Sequence, residues 1–193
     1  MSDSWDDSAL EWDSNPVVRE YAGKAFEQLT GLIDLTGLSV FDFGCGTGLL
    51  TEKLSPLVKS AVSLDTSPQM IRVLKEKNLP QVTAFCGALE DLKDPSGTPY
   101  PAHFDLVVAS SVCAFVPDYA ATLAQLRALL KPGGLLVQWD WETIEQVPGP
   151  GFTQGQVEAA LRQAGFESPQ VTRAFSMPFF GEEKPVLMAV AKA

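Results

Sequence analysis

The sequence has little histidine, little cysteine and little positive charge. Its single histidine is His103, and its three cysteines are Cys45, Cys86 and Cys113. The odd number of cysteines and the lack of a CxxC pair argue against both a disulfide framework and a zinc site. Reduced thiols are typical of the cytoplasm. We therefore expect a cytoplasmic protein that binds no metal.

Basic residues are too few to favour an anionic partner. Lys and Arg number 14 against 24 Asp and Glu, which gives a net charge of −10. This balance disfavours a nucleic-acid backbone or an anionic membrane as the main partner. No apolar run is long enough to span a bilayer, and the first residues, MSDSWDDSALEWD, lack the basic and apolar regions of a signal peptide. The oligomeric state stays open.

The first 14 residues differ in composition from the rest of the chain. They hold five acids and no base, with Trp5 and Trp12 among them. We expect residues 1–14 to form an acidic mobile arm whose tryptophans pack down in some state. We expect residues 15–193 to form a single domain, since neither loop-like stretch after this point resembles a domain linker.

From residue 39 onward, strand-like and helix-like segments alternate. The predicted strands are SVFDF, AVSLD, VTAFC, FDLVVAS, LLVQWDW, VTRAFS and PVLMAVAKA. The KPGG segment is expected to end a helix just before the fifth of these strands. Such alternation predicts an α/β fold with a parallel sheet and helices on both faces.

The stretch VFDFGCGTGLL places Gly44, Gly46 and Gly48 between a buried strand and a helix. Ligands of such sheets lie beyond the carboxyl ends of the strands, and glycine allows positive φ and close approach of the backbone. The dinucleotide fingerprint GxGxxG fails at Leu49, and a Walker loop would need Lys at that position. The spacing therefore disfavours both phosphate-binding motifs.

The spacing Asp-x-Gly-x-Gly-x-Gly, starting at Asp42, resembles motif I of the class I S-adenosylmethionine-dependent methyltransferases. SLDTSPQM, CGALEDL, FDLVVASSVCAFV and ALLKPGGLLVQWDWE resemble successive later segments of that family. The similarity runs from about Asn15 to Lys192 and is closest to the small-molecule group that includes ubiquinone-biosynthesis-like enzymes. It implies one doubly wound, Rossmann-like domain with a mostly parallel seven-stranded sheet and an antiparallel last strand.

The resemblance also implies S-adenosyl-L-methionine as cofactor. In the family, an acid at the position of Asp65 binds both ribose hydroxyls, and Met70 is placed to pack on the adenine. Ala88 stands where many members have an aspartate that meets the adenine amino group, although the Leu89 amide can still reach the ring. The cofactor-binding residues implied are Tyr21, Asp42, Gly44, Cys45, Gly46, Thr47, Gly48, Asp65, Thr66, Met70, Ala88, Leu89, Ser110 and Ser111.

For the acceptor, the resemblance implies Phe115 and Trp141 as binding residues. Asp140 and Glu142 are candidates to orient the acceptor or take its proton. Purely structural interpretations stay open: core packing for Tyr21 and Phe115, and a strand-end acid for Asp140. The acceptor pocket is expected to draw on the N-terminal arm and on loops 110–117 and 141–151.

The function implied is methyl transfer from S-adenosylmethionine to a small-molecule acceptor. The family mechanism is an in-line displacement at the methyl group, and it needs no catalytic triad. The alternative is a methyltransferase-like module without turnover that binds S-adenosylmethionine or S-adenosylhomocysteine. A nicotinamide-dependent dehydrogenase ranks third, because the glycine spacing fails.

Overall fold

The computed structural model describes residues 2–93, 97, 100, 102–143, 150–179 and 182–193. The chain divides into two compact units, Met1–Tyr100 and Pro101–Ala193. The segment predicted as an arm belongs to the first unit. No helix among the described residues has the length and apolar character needed to cross a membrane.

The first unit is built on three parallel strands. β1 pairs with β2, and β2 pairs with β3, both in parallel register. Every residue of β1 is buried, as its apolar sequence predicts. The elements are α1 (Ser2–Trp12), α2 (Pro16–Leu32), β1 (Ser39–Phe43), α3 (Leu49–Leu54), β2 (Ser60–Asp65), α4 (Pro68–Glu76) and β3 (Val82–Cys86).

Two helices of this unit begin at the caps that the sequence predicts. Asn15 accepts a hydrogen bond from the Val17 amide at the start of α2, and Ser67 accepts one from the Met70 amide at the start of α4. In both helices the first residue is proline, whose missing N–H costs nothing at that position. The start of α4 matters for function because it directly follows the end of β2.

The second unit combines one parallel and two antiparallel strand pairs. β4 pairs with β5 in parallel, while β7 is antiparallel to both β5 and β6. The predicted capping box between Thr153 and Gln156 is present at the start of α6. The elements are β4 (Phe104–Ser110), α5 (Tyr119–Leu129), β5 (Leu130–Trp141), α6 (Gln154–Gln163), β6 (Glu167–Phe179) and β7 (Glu182–Lys192).

The strand order is β3-β2-β1 within the first unit and β4-β5-β7-β6 within the second, which gives seven strands among the described residues. The predicted α/β fold, mostly parallel with an antiparallel last strand, is confirmed. One boundary was wrong: β5 begins at Leu130 and includes KPGG, because those residues are accommodated in an irregularity of the β4–β5 register between Phe104 and Leu106.

The N-terminal segment forms α1, which packs along α4. Ala9 is buried within this contact, whereas the neighbouring Leu10 is 78% exposed. The edge-to-face pair of Trp5 and Trp12, with ring centroids 5.7 Å apart, belongs to the same helix. The two tryptophan rings thus pack against each other, and movement of the segment stays a prediction.

Gly48 is required by the fold as well as by any ligand. Its φ is +82°, and a Cβ there would lie 2.3 Å from Cδ1 of the buried Leu74. We expect Gly48→Ala to lower the free energy of unfolding by about 2–3 kcal/mol, through backbone strain and overpacking together. Chemical denaturation measures this. Gly37→Ala is the matched control, because Gly37 has a φ of +78° and open space around it. Equal losses in the two variants would contradict the packing role of Gly48.

Candidate functional site

The glycine-rich turn crosses from the end of β1 to the end of β2. The amides of Gly44 and Cys45 both donate to the Leu64 carbonyl, at 2.8 and 3.0 Å. Gly44, Gly46 and Gly48 have φ values of +67°, +54° and +82°. An L-residue at any of these positions would be strained, so the alternating glycines are explained by the backbone path of the turn.

Asp65 joins this turn to the start of α4. One carboxylate oxygen accepts the Gly46 amide at 2.9 Å, and the other accepts the Ser67 amide at 2.9 Å. Each oxygen keeps lone-pair capacity, so the carboxylate can accept further hydroxyl donors. Burial raises the pKa of Asp65, and the amide donors oppose that rise by stabilising the charged form. Asp65 thus ties the glycine-rich turn to the start of α4, and its role at the ribose stays a prediction.

Asp42 lies deeper, with 1% of its surface exposed. Its carboxylate accepts the Thr51 hydroxyl at 2.5 Å, which ties β1 to α3. Burial raises the pKa of Asp42 to about 7; the Thr51 hydrogen bond counteracts this, and the nearby charge of Asp65 adds to it. Asp42 therefore stabilises the turn indirectly, by fixing the helix α3 that follows it.

Other predicted cofactor residues of the first unit lie in α2, in α4 and directly after β3. Met70 is buried, and its sulfur would lie 3.9 Å from a Cβ built on Gly46. The Gly87 amide donates to the Asp65 carbonyl at 3.0 Å, so Ala88 and Leu89 directly follow a residue that is anchored to the end of β2. Tyr21 is on the buried face of α2.

Cys45 is a small, partly buried residue in the turn. Burial raises the pKa of its thiol well above the usual value, and the charges of Asp42 and Asp65 raise it further. A thiol in this environment stays protonated, so Cys45 is not an activated nucleophile.

The sequence analysis missed two aspartates that reach the turn and its neighbour. The Asp13 carboxylate accepts the Thr47 hydroxyl and pairs with Lys77. Asp6 accepts the Ser67 hydroxyl, and also the Gln69 amide at 3.2 Å. The only available signal was the combination of acids and tryptophans in residues 1–14, which identifies no partner.

In the second unit, the predicted residues after β4 form a tight turn. Ser110 is the last residue of β4, and the Ser111 amide, at a φ of +56°, donates to the Trp139 carbonyl at 2.7 Å. A single 3-10 turn follows at Cys113–Phe115. Phe115 is half-buried, so both its structural and its binding interpretation remain open.

Asp140 is at the centre of a buried polar network in the second unit. It is 1% exposed, and its two oxygens accept the Ala114 amide at 3.3 Å and the Gln138 side-chain amide at 2.9 Å. Gln138 in turn accepts the Tyr119 hydroxyl at 2.9 Å. Burial raises the pKa of Asp140 to about 7. Asp140 thus fixes the 3-10 turn that follows β4.

Glu142 has a different environment. Its oxygens accept two hydrogen bonds from Arg173, at 2.5 and 3.1 Å, which link β5 to β6. Trp141 beside it is buried, and its carbonyl accepts the Phe152 amide at 2.9 Å. The predicted acceptor loop 141–151 falls largely on residues 144–149, which lie outside the described residues.

The residues of the first unit suit a nucleoside with free hydroxyls better than a phosphate. Asp65 offers an anionic acceptor for hydroxyl groups, and the turn itself carries no lysine or arginine. Acids at Asp6, Asp13 and Asp42 add negative charge that would repel phosphate. Among the described residues, no group of three His, Cys, Asp or Glu side chains could hold a metal ion. S-adenosylmethionine, which has ribose hydroxyls, a sulfonium and no phosphate, fits these acidic residues.

Comparisons with known proteins agree with that fit. Residues 41–136 match a family model described as a methyltransferase domain. A ubiquinone biosynthesis O-methyltransferase of Xanthomonas euvesicatoria is 34% identical over 125 residues, which are 63% of this chain and 48% of the relative. One of Bradyrhizobium is 36% identical over 62% of this chain and 47% of the relative. The chain spans about half the length of these curated relatives.

Solved structures share the fold at low sequence identity. The DhpI–S-adenosylhomocysteine complex has a TM-score of 0.75 at 21% identity, covering 98% of this chain and 93% of that one. An S-adenosylmethionine-dependent methyltransferase of Aquifex aeolicus has a TM-score of 0.72 at 19% identity, covering 98% of each chain. Residues 41–136 thus carry a methyltransferase domain, and the curated relatives and the shared fold support its assignment to the class I S-adenosylmethionine-dependent methyltransferases.

Proposed function

We propose that the protein transfers a methyl group from S-adenosylmethionine to a small-molecule acceptor. The observation that carries the proposal is the arrangement of Asp65, which holds the glycine-rich turn through Gly46 and the start of α4 through Ser67. An anionic acceptor fixed in this way is ready to bind two adjacent hydroxyl groups with little reorganisation.

The proposal gives each predicted residue a task. Asp65 binds the ribose, Met70 and the Ala88–Leu89 segment contact the adenine, and the Gly44–Gly48 backbone lies along the methionine half. Tyr21, Thr66, Ser110 and Ser111 complete the cofactor-binding set, and Phe115 and Trp141 bind the acceptor.

The bound cofactor would supply the reactive chemistry, a methyl group on a sulfonium. The task of the protein is then to align the acceptor with that methyl group, and such alignment can supply much of the rate. Within the second unit, Asp140 holds the Ala114 amide and so positions the turn that carries Phe115. A carboxyl group with a pKa of about 7 is also suited to accepting an acceptor's proton near neutral pH.

The acceptor class is argued from the relatives and from charge. The relatives named above are O-methyltransferases, which supports a small molecule with a hydroxyl group as the first class to test. The net charge of −10 disfavours nucleic acids as acceptors. A cytoplasmic location, where S-adenosylmethionine is made and used, completes the proposal.

The test is turnover with the purified full chain. S-adenosylmethionine is incubated with a panel of small hydroxylated, amine and thiol acceptors, and S-adenosylhomocysteine is quantified. The expected result is acceptor-dependent S-adenosylhomocysteine formation that disappears in Asp65→Ala. Tight cofactor binding with no product from any acceptor class would support the binding module instead.

A further inference from the structure

The helix α1 contacts the residues to which the proposed function assigns the cofactor. Trp5, Ala9 and Trp12 follow one another at helical spacing on one face, and Ala9 is buried. The Trp12 indole nitrogen would lie 3.8 Å from a Cβ built on Gly46, so the ring lies against the glycine-rich turn. The opposite face carries the exposed Leu10. The helix therefore covers part of the turn with a small apolar surface.

Polar contacts hold α1 near its middle and just beyond its last residue. Asp6 accepts hydrogen bonds from the Ser67 hydroxyl and the Gln69 amide, where a carboxylate also complements the positive end of the α4 dipole. Asp13 accepts the Thr47 hydroxyl and pairs with Lys77 at 2.8 Å. The two clamps thus act at the start of α4, beside Asp65, and on the glycine-rich turn itself.

The Asp13 clamp is shielded from water. Thr47 is 1% exposed, and the side chains of Lys77 and Asp13 are 16% and 33% exposed. Lys77 also bonds Glu52 at 3.1 Å, so it joins Asp13 to α3 as well. A partly buried, charge-assisted hydrogen bond of this kind fixes geometry better than an exposed ion pair does.

We propose that Asp13 is a positioning residue of the cofactor site: it fixes Thr47 of the glycine-rich turn and holds α1 over that turn, so that cofactor exchange requires α1 to undock. The inference rests on the proposed function, because it assumes that the turn binds the cofactor. Ala9 is the one fully buried side chain among residues 5–12, so undocking exposes little deeply buried apolar surface. The polar clamps add to the packing of Trp12 on the turn, and loss of a clamp should make opening of the site more frequent.

The test is the dissociation rate of S-adenosylhomocysteine from the full chain, measured by displacing labelled ligand with excess unlabelled ligand. Asp13→Asn is expected to raise the rate about tenfold, because a charged acceptor is replaced by a neutral one. Glu11→Gln is the matched control: it makes the same charge change at an exposed position of α1 and should leave the rate within about twofold.

Variants of Thr47 separate positioning from general loosening of the fold. Thr47→Val removes the hydroxyl that Asp13 accepts and should raise the rate in the same direction as Asp13→Asn. The double variant Asp13→Asn/Thr47→Val should be slower than the product of the two single effects predicts, since both variants act on the same Asp13–Thr47 contact. If the wild type binds S-adenosylhomocysteine but Asp13→Asn and Glu11→Gln release it at equal rates, this inference is overturned and the proposed function is not. A wild type that binds no S-adenosylhomocysteine would overturn the proposed function and this inference with it.

Discussion

Asp65→Ala is expected to weaken S-adenosylhomocysteine binding by about 10- to 100-fold. The variant removes the anionic acceptor proposed for the ribose hydroxyls. It also leaves the Gly46 and Ser67 amides without the carboxylate that now accepts them at 2.9 Å each. Both losses weaken ligand binding. The ribose hydroxyls lose their proposed acceptor, and the glycine-rich turn is no longer fixed to the start of α4. Calorimetric titration of the two proteins measures the change in Kd.

Asp34→Ala provides a control of the same local chemistry. Asp34 accepts the amide of the residue two positions on, Thr36, at 2.9 Å, as Asp65 accepts that of Ser67. It is exposed, and the Thr36 hydrogen bonds lower its pKa. Its replacement should leave the Kd unchanged. A folded Asp65→Ala protein that binds as tightly as Asp34→Ala would disprove the ribose assignment.

Asp140→Asn is expected to stabilise the protein at neutral and alkaline pH. Burial raises the pKa of Asp140 to about 7 from an ordinary value of 3.8. Between these values the folded state binds a proton that the unfolded chain releases, so ionisation of this residue favours unfolding as the pH rises. The variant cannot ionise. Its advantage over the wild type should therefore grow by about 1.4 kcal/mol per pH unit from about pH 4 to 7 and then level off.

The network around Asp140 can accommodate the amide with the same number of hydrogen bonds. The asparagine oxygen can accept the Ala114 amide as Asp140 does now. Its NH₂ group then faces Gln138, whose side chain can rotate by half a turn to present its oxygen. The Gln138 NH₂ group would then donate to the Tyr119 hydroxyl, which now donates to Gln138. Two hydrogen bonds thus reverse their direction, and the number of hydrogen bonds in the network stays the same.

Denaturation curves of wild type and variant at about pH 5 and pH 8 test this prediction. The titratable groups that face Asp140 among the described residues are Cys113 and Tyr119, and burial raises the pKa of both. Neither therefore adds a charge in this range. A stability difference for Asp140→Asn that is the same at both pH values would contradict the raised pKa.

Local patterns were enough to predict the fold because each element carries its own signal. The buried β1 strand, the proline-led helices α2 and α4 and the capping box of α6 all lie where the sequence places them. The start of β5 lies before the predicted one, because Lys131–Gly134, which contains helix-breaking residues, is inserted where the β4–β5 register shifts between Phe104 and Leu106. An irregular register of this kind has no local sequence signal.

The site was predictable only where a spaced motif records it. The glycines were singled out because they follow a predicted strand, and Asp65 because its segment resembles the family's ribose-binding segment. Asp13 and Asp6 were not, because their partners Thr47 and Ser67 lie 34 and 61 residues away. Glycine is required at position 48 also because a Cβ there would meet Leu74, and the motif does not reveal this contact. Contacts between distant segments depend on packing, which residue spacing does not record.

Binding of the cofactor tests the account most directly. Calorimetric titration of the full chain with S-adenosylmethionine and S-adenosylhomocysteine, with NAD as control, requires no knowledge of the acceptor. The account predicts binding of both sulfur nucleosides at micromolar concentrations and none of NAD, whose phosphates would meet the acids around the turn. Absence of binding for both sulfur nucleosides, or preferential binding of NAD, would contradict it.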